Sequence, residues 1–232
     1  MAKSSKKSNK VKKFKTSKLS FKKAVVAIGA IGIIAGSVPV VKRVIDPSEL
    51  VTEVIDGDTF RIGNRQTIRF YSVDAPELGN CYGEEAKEAL TKKILGKKVI
   101  IKSPRTDYYK RVQAYVYVDG EFVNEYMVKN GFAMEHGEGT PETDIVKEAN
   151  TFAKENKLGI YSEKCSPLVS ENKNCVIKGQ IPYDYGPEKK VYLLPGCRNY
   201  EQTKVERFRG EDWFCSEKEA KDVGFTKYEY CP

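Results

Sequence analysis

"VTEVIDGDTFRIGNRQTIRFYSVDAPELG", residues 51–79, is the stretch whose reading decides the fold. Runs rich in Val, Ile, Phe and Tyr at 51–55, 59–62 and 67–73 read as three β-strands. "DGD" at 56–58 and "IGNRQ" at 62–66 supply the turn chemistry between them. Among these strand formers stand Asp58, Arg69, Asp74 and Glu77. Each fragment alone has an ordinary reading: Asp-Gly is a common hairpin turn, and "DAPE" is a strand exit stopped by Pro76. The set carries the meaning, together with Arg111 in "RTDYYKRVQAYVY". Two carboxylates, a backbone carbonyl and waters make an oxygen-only site for a hard cation such as Ca²⁺ or Mg²⁺. Arg69 lies five residues before Asp74, so on an unbroken strand the two would face opposite sides. A shared site therefore requires the strand to end or bulge between them.

Outward from this stretch, two more strand-like runs lie at 98–102 and 111–118. Helical spacing marks 83–96, with Ala86, Leu90 and Ile94 on one face and Gly96 as the stop. It recurs at 120–132, with Val123, Met127 and Val128, and at 142–159, ended by Gly159. Three strands, a helix, two strands and two helices do not alternate as βαβ units would. The expected class is mainly β with α (α+β): a five-stranded OB-fold barrel with three helices, plus a small C-terminal domain. Residues 45–165 are read as the barrel domain, 166–174 as a linker, and 175–232 as a small unit holding four cysteines and the single tryptophan.

The formal charge of +8 invites a nucleic-acid reading of the whole chain, but residues 1–23 alone hold ten lysines and no acidic residue. The remainder has 30 basic against 32 acidic side chains, so the basic excess belongs to the N-terminal tail. That tail precedes an apolar run at 24–41, and together residues 1–44 read as a targeting element. "AGS" at 35–37 suits cleavage of a signal peptide, while an uncleaved membrane anchor remains the other reading. Either one places the rest of the chain outside the cytoplasm, secreted or anchored to the membrane. Six cysteines in such a chain fit disulfides.

From about 51 to 165 the chain resembles the staphylococcal nuclease (thermonuclease) family. The matching runs are "VIDGDTF", "IRFYSVDAPE", "GEEAKEALTKKIL", "RTDYYKRVQAYVY", "VNEYMVKNGFA" and "AKENKLGIYS", in order and at family-like spacing. The resemblance implies hydrolysis of phosphodiester bonds in DNA and RNA, dependent on one Ca²⁺, inhibited by chelators and leaving 3′-phosphate ends. It implies Asp58, Asp74 and the carbonyl of Ala75 as metal ligands, and Glu77 as the group that orients or deprotonates the attacking water. Arg69 and Arg111 would clamp the phosphate, and Tyr109 would contact substrate. A monomer is expected. The alternative is a non-catalytic OB-fold nucleic-acid-binding module, but such modules lose carboxylates or arginines that are all present here.

The sequence departs from the family pattern in three places, one being Ala75, where the family often has Thr and a backbone ligand tolerates the change. Lys110 stands where the family usually has Gly, and "MEHGEGTPE" after the second helix carries none of the family's tyrosines. His136, in that Gly-rich stretch, is read as a solvated loop residue. By the same resemblance, Cys81 is expected to pair with Cys165. Cys175, Cys197, Cys215 and Cys231 are separated by 21, 17 and 15 residues, far from CxxC spacing. Two disulfides are favoured there, with a four-Cys zinc site as the alternative. In "SEKEAKDVGF" Ser216 is expected to cap a short helix and Gly224 to stop it.

Overall fold

A computed structural model describes residues 48–137, 140–183 and 189–232. The proposed targeting segment lies outside these residues. Among the described residues no helix is long and apolar enough to cross a membrane.

Strands β1 (Ser48–Val54), β2 (Thr59–Ile62) and β3 (Thr67–Phe70) form an antiparallel meander. Helix α1 (Gly83–Ile94) follows, then the antiparallel pair β5 (Lys98–Thr106) and β6 (Val112–Val118). β1 pairs with β5, and β3 closes the barrel against β6 in a parallel pairing, Ile68 facing Val112 and Phe70 facing Ala114. Five strands in the order β3-β2-β1-β5-β6, closed on themselves, are the expected OB barrel. Alternate residues point inward: Phe60, Ile62, Ile68, Phe70, Val99, Ala114 and Val116 are all buried. Phe60 and Phe70 meet at 5.9 Å between ring centres.

The run at 67–73 is not one strand. β3 stops at Phe70, and Ser72 takes a left-handed conformation with φ 62°. The chain then resumes as β4 (Val73–Asp74), pairing with β8 (Met134–Glu135). Asn124 secures the break. Its side-chain carbonyl accepts from Val116 N at 3.0 Å, and its amide donates to Tyr71 O at 2.9 Å. A fully buried Asn with both ends of its amide used is a fixed connection between α2 and the barrel.

Short strand β7 (Glu121–Phe122) leads into α2 (Val123–Lys129), and after β8 comes α3 (Pro141–Glu155). Val123, Met127, Val128, Val146 and Ala149 carry these helices into the barrel core. Thr140 caps α3 by accepting from Thr143 N at 3.2 Å, with Pro141 in the first turn.

The C-terminal part has a four-stranded sheet, β11 (Trp213–Phe214), β9 (Ile177–Gln180), β10 (Val191–Leu193) and β12 (Thr226–Lys227), in that order. A core of Ile177, Tyr192, Phe214, Ala220 and Phe225 is small, and disulfides Cys175–Cys215 and Cys197–Cys231 supplement it. All four of its cysteines are therefore engaged as disulfides, as is the pair Cys81–Cys165. Ser216 caps α4 (Glu217–Asp222) by accepting from Glu219 N, and Gly224 follows with φ 90°. The described residues from Ser48 onward form one compact unit. Phe208 is buried beside Ile160, Cys165 and Tyr161, and its carbonyl accepts from Asn80 Nδ2 at 3.5 Å.

Candidate active site

Asp58 sits in the turn just before β2, and its side chain is only 1% exposed. Gly57 makes that position possible. A Cβ there would come within 2.6 Å of the Ala86 Cβ and 2.7 Å of the Ala75 Cβ, so only glycine lets the turn lie against both α1 and the β4 exit. Asp58 Oδ1 accepts from Thr59 Oγ1 at 2.7 Å and from Arg69 Nη1 at 2.5 Å, while Oδ2 accepts from Ala75 N at 2.9 Å.

Arg69 points outward from β3 between the inward Ile68 and Phe70. Its second nitrogen donates to Asp74 Oδ1, so one guanidinium bridges both carboxylates. The left-handed turn at Ser72 is what permits this. It breaks the strand parity that would have put Asp74 on the opposite face from Arg69. The two carboxylates differ in environment: Asp58 is enclosed, whereas the Asp74 side chain is 48% exposed.

Burial drives the Asp58 carboxyl up to about 7; Arg69 opposes this, and Asp56, whose Oδ1 accepts from Asp58 N at 3.0 Å, adds to it. Arg69 is itself pulled down by burial, but Asp58, Asp74, Asp56 and Glu77 outweigh that and hold its pKa above the usual value. Four carboxylates thus surround a single guanidinium, a local deficit of positive charge.

Glu77 lies exposed in the loop between β4 and α1. That loop is tightly packed: a Cβ on Gly83 would come within 2.3 Å of the Glu77 carbonyl oxygen, which also accepts from Asn80 N. Arg111 immediately precedes β6, the strand that pairs with β3. Alternation carried back from Gln113, the partner of Arg69, sets Arg111 on the same outward side. Its Nε donates to Asp107 Oδ2 at 2.7 Å, its N–H to Asp107 Oδ1 at 2.8 Å, and its guanidinium carbon lies 5.2 Å from the Tyr109 ring centre. Lys110, in the family's glycine position, adopts φ 62°, the left-handed conformation a glycine takes freely.

Asp58, Arg69, Asp74 and Ala75 are therefore brought together, Glu77 stands on the adjoining loop, and Arg111 with Tyr109 occupies the neighbouring turn. Ala75 engages Asp58 through its N–H. His136 is exposed and donates its backbone N–H to Ser72 O. Among the described residues no three His, Cys, Asp or Glu side chains are already arranged as a metal cage. The donor chemistry nonetheless fits a hard cation, since Asp58 and Asp74 offer only oxygens and the surrounding charge is negative. Sequence reading missed Asp56 and Thr59, which set the charge and orientation of Asp58. It also missed Arg105, which faces Gln113 from β5 with its guanidinium 3.9 Å from the Tyr71 ring centre. The first Asp of "DGD" and the Arg of "RTD" were the available signals.

The closed five-strand barrel and its carboxylate–arginine rim define an α+β OB-barrel domain with a polar site beside the β3–β4 break. Residues 67–163 match the family model described as Staphylococcal nuclease homologue, and through this domain the chain is similar to that family. It is 36% identical over 124 residues to the SPbeta prophage-derived endonuclease YokF of Bacillus subtilis (strain 168), covering 47% of this chain and 42% of that protein. Endonuclease YncB of the same organism is 35% identical over 124 residues, 47% of this chain and 59% of the relative. An uncharacterized endonuclease of Escherichia coli is 29% identical over 117 residues, 49% of this chain and 76% of the relative. The chain spans roughly half the length of the Bacillus relatives it matches.

Proposed function

We propose that this chain is a Ca²⁺-dependent nuclease that hydrolyses phosphodiester bonds in DNA and RNA and leaves 3′-phosphate ends. The observation that carries the reading is the convergence of Asp58 and Asp74 on Arg69, with Arg111 on the adjoining strand. Two carboxylates of one site, one enclosed and one open to solvent, suit a cation that must also reach a substrate.

Asp58 and Asp74 would hold the ion, with the Ala75 carbonyl as a backbone ligand. The bound ion supplies Lewis-acid polarisation of the phosphoryl oxygen. Glu77, open to solvent on its braced loop, accepts a proton from water as the oxygen adds to phosphorus and the 5′-oxygen leaves. Arg69 and Arg111 donate to the equatorial phosphoryl oxygens, where negative charge spreads in the transition state. Once a phosphate is present, Arg69 has an anionic partner other than its two carboxylates, and its forked donors suit it better than a lysine would. Tyr109, on the turn with Arg111, contacts the substrate backbone.

The lysine block and apolar run at 1–44, together with three disulfides, support an extracytoplasmic location, secreted or membrane-anchored. The test is incubation of the protein with plasmid DNA and with RNA, with Ca²⁺ and with an excess of chelator. Cleavage of both that stops with the chelator supports the reading. Intact substrates in Ca²⁺, or cleavage indifferent to the chelator, would overturn it.

A further inference from the structure

The turn between β5 and β6 carries two adjacent tyrosines that do nothing for the core. Tyr108 is 93% exposed and Tyr109 73% exposed. Leaving two large rings in water forgoes the burial that normally places tyrosine in a fold. The rings are nonetheless mutually ordered, edge to face, with centres 5.4 Å apart and planes at 86°. Tyr109 also lies beside the Arg111 guanidinium, and the turn is pinned by Asp107, which accepts from Arg111 twice. The acidic neighbour Asp107 is taken up by Arg111, while Lys110 lies within the turn and Arg105 near the end of β5 that leads into it.

We propose that Tyr108 is a nucleobase-stacking platform that selects single-stranded nucleic acid for the site. An exposed aromatic face flanked by cations is what an unpaired strand requires, base on ring and phosphate on guanidinium. A base within a duplex has both faces stacked and offers none to a tyrosine. Because every base has a π-face, the platform is indifferent to sequence. The segment after β8, "HGEGTPE", has no Tyr, Trp or Phe, so it offers no competing tyrosine-type platform. This inference rests on the nuclease reading, which makes the phosphate held by Arg111 part of the strand whose next base meets Tyr108.

The test uses the full chain and two substrates: a short single-stranded oligonucleotide and a nitrophenyl phosphodiester of one nucleoside, too small to reach the turn. Tyr108→Ala is expected to raise the oligonucleotide KM by about tenfold, equivalent to about 1.4 kcal/mol. It should leave kcat and turnover of the small ester unchanged, and Tyr108→Trp should restore the KM. Equal oligonucleotide KM values for wild type and Tyr108→Ala would overturn the platform while leaving the nuclease reading intact. Anisotropy of a labelled oligothymidylate, in chelator, separates the two ideas further. Binding weakened by Tyr108→Ala in a protein without cleavage activity would sustain the platform and sink the nuclease reading. Binding unaffected by the substitution would sink the platform.

Discussion

Replacing Arg69 with Ala removes the one cation bridging Asp58 and Asp74, and its cost should depend on pH in a direction the geometry fixes. Asp74 is 48% exposed, so water replaces most of what it loses. Asp58 is 1% exposed and must either remain a buried charge or hold a proton. Its carboxyl is already pushed up to about 7 by burial, and losing Arg69 moves it further in the same direction. At about pH 5 the proton is readily available, and the variant forfeits mainly hydrogen bonds, roughly 1–2 kcal/mol. At about pH 9 holding the proton is costly, and the loss approaches the 3–5 kcal/mol typical of breaking a buried pair. Urea unfolding followed by far-ultraviolet circular dichroism, in chelator, measures both. Adding Asp58→Asn should recover much of the loss at high pH. An Asn can aim its oxygen at Ala75 N and its amide at Thr59 Oγ1, the two contacts of the carboxylate that remain once Arg69 is removed. A loss below about 1 kcal/mol at both pH values, or no coupling in the double-mutant cycle, would refute the reasoning.

The same burial gives the metal-free wild type a characteristic pH dependence. Asp58 has a folded pKa of about 7 against a reference of 3.8, so the native state holds the extra proton and its advantage fades as pH rises through about 7. Wild type should therefore lose melting temperature relative to Asp58→Asn between about pH 5 and pH 8; a constant difference would contradict this. Glu211 in the C-terminal part, also raised to about 7, mainly by burial, acts in the same direction in both proteins and cancels from the comparison. Replacing both Cys81 and Cys165 with Ala opens a closure of 84 residues, and should lower stability by about 4.5 kcal/mol in the chain-entropy model. A loss near zero in urea unfolding would mean that the Phe208 cluster around this bridge holds the fold unaided.

Much of the barrel was legible because its strands follow a period of two and its turns carry Gly, Asn and Asp. The break at Tyr71–Ser72 was not, because no glycine or proline marks it. It depends on Asn124, more than fifty residues away, whose amide donates to the Tyr71 carbonyl only once α2 has docked. The parity conflict between Arg69 and Asp74 was visible in the sequence, and only the folded chain resolves it. Lys110 is similar: a lysine gives no sign of a left-handed turn, which Asp107 enforces by bonding to the backbone and side chain of Arg111. In the C-terminal part, four cysteines allow three pairings, and spacing alone does not choose among them. The choice made, Cys175 with Cys215 and Cys197 with Cys231, follows from the strand order β11-β9-β10-β12.

The most direct test of the proposed metal-assisted hydrolysis is the rate of DNA cleavage against free Ca²⁺ for wild type and Asp74→Asn. Asp74 is half-exposed, so the substitution leaves the barrel standing while removing one proposed ligand charge. The Ca²⁺ concentration at half-maximal rate should rise by about tenfold or more, as loss of one carboxylate from an oxygen-only site lowers affinity. Superimposable Ca²⁺ dependences for the two proteins would contradict the assignment of this cluster as the metal site.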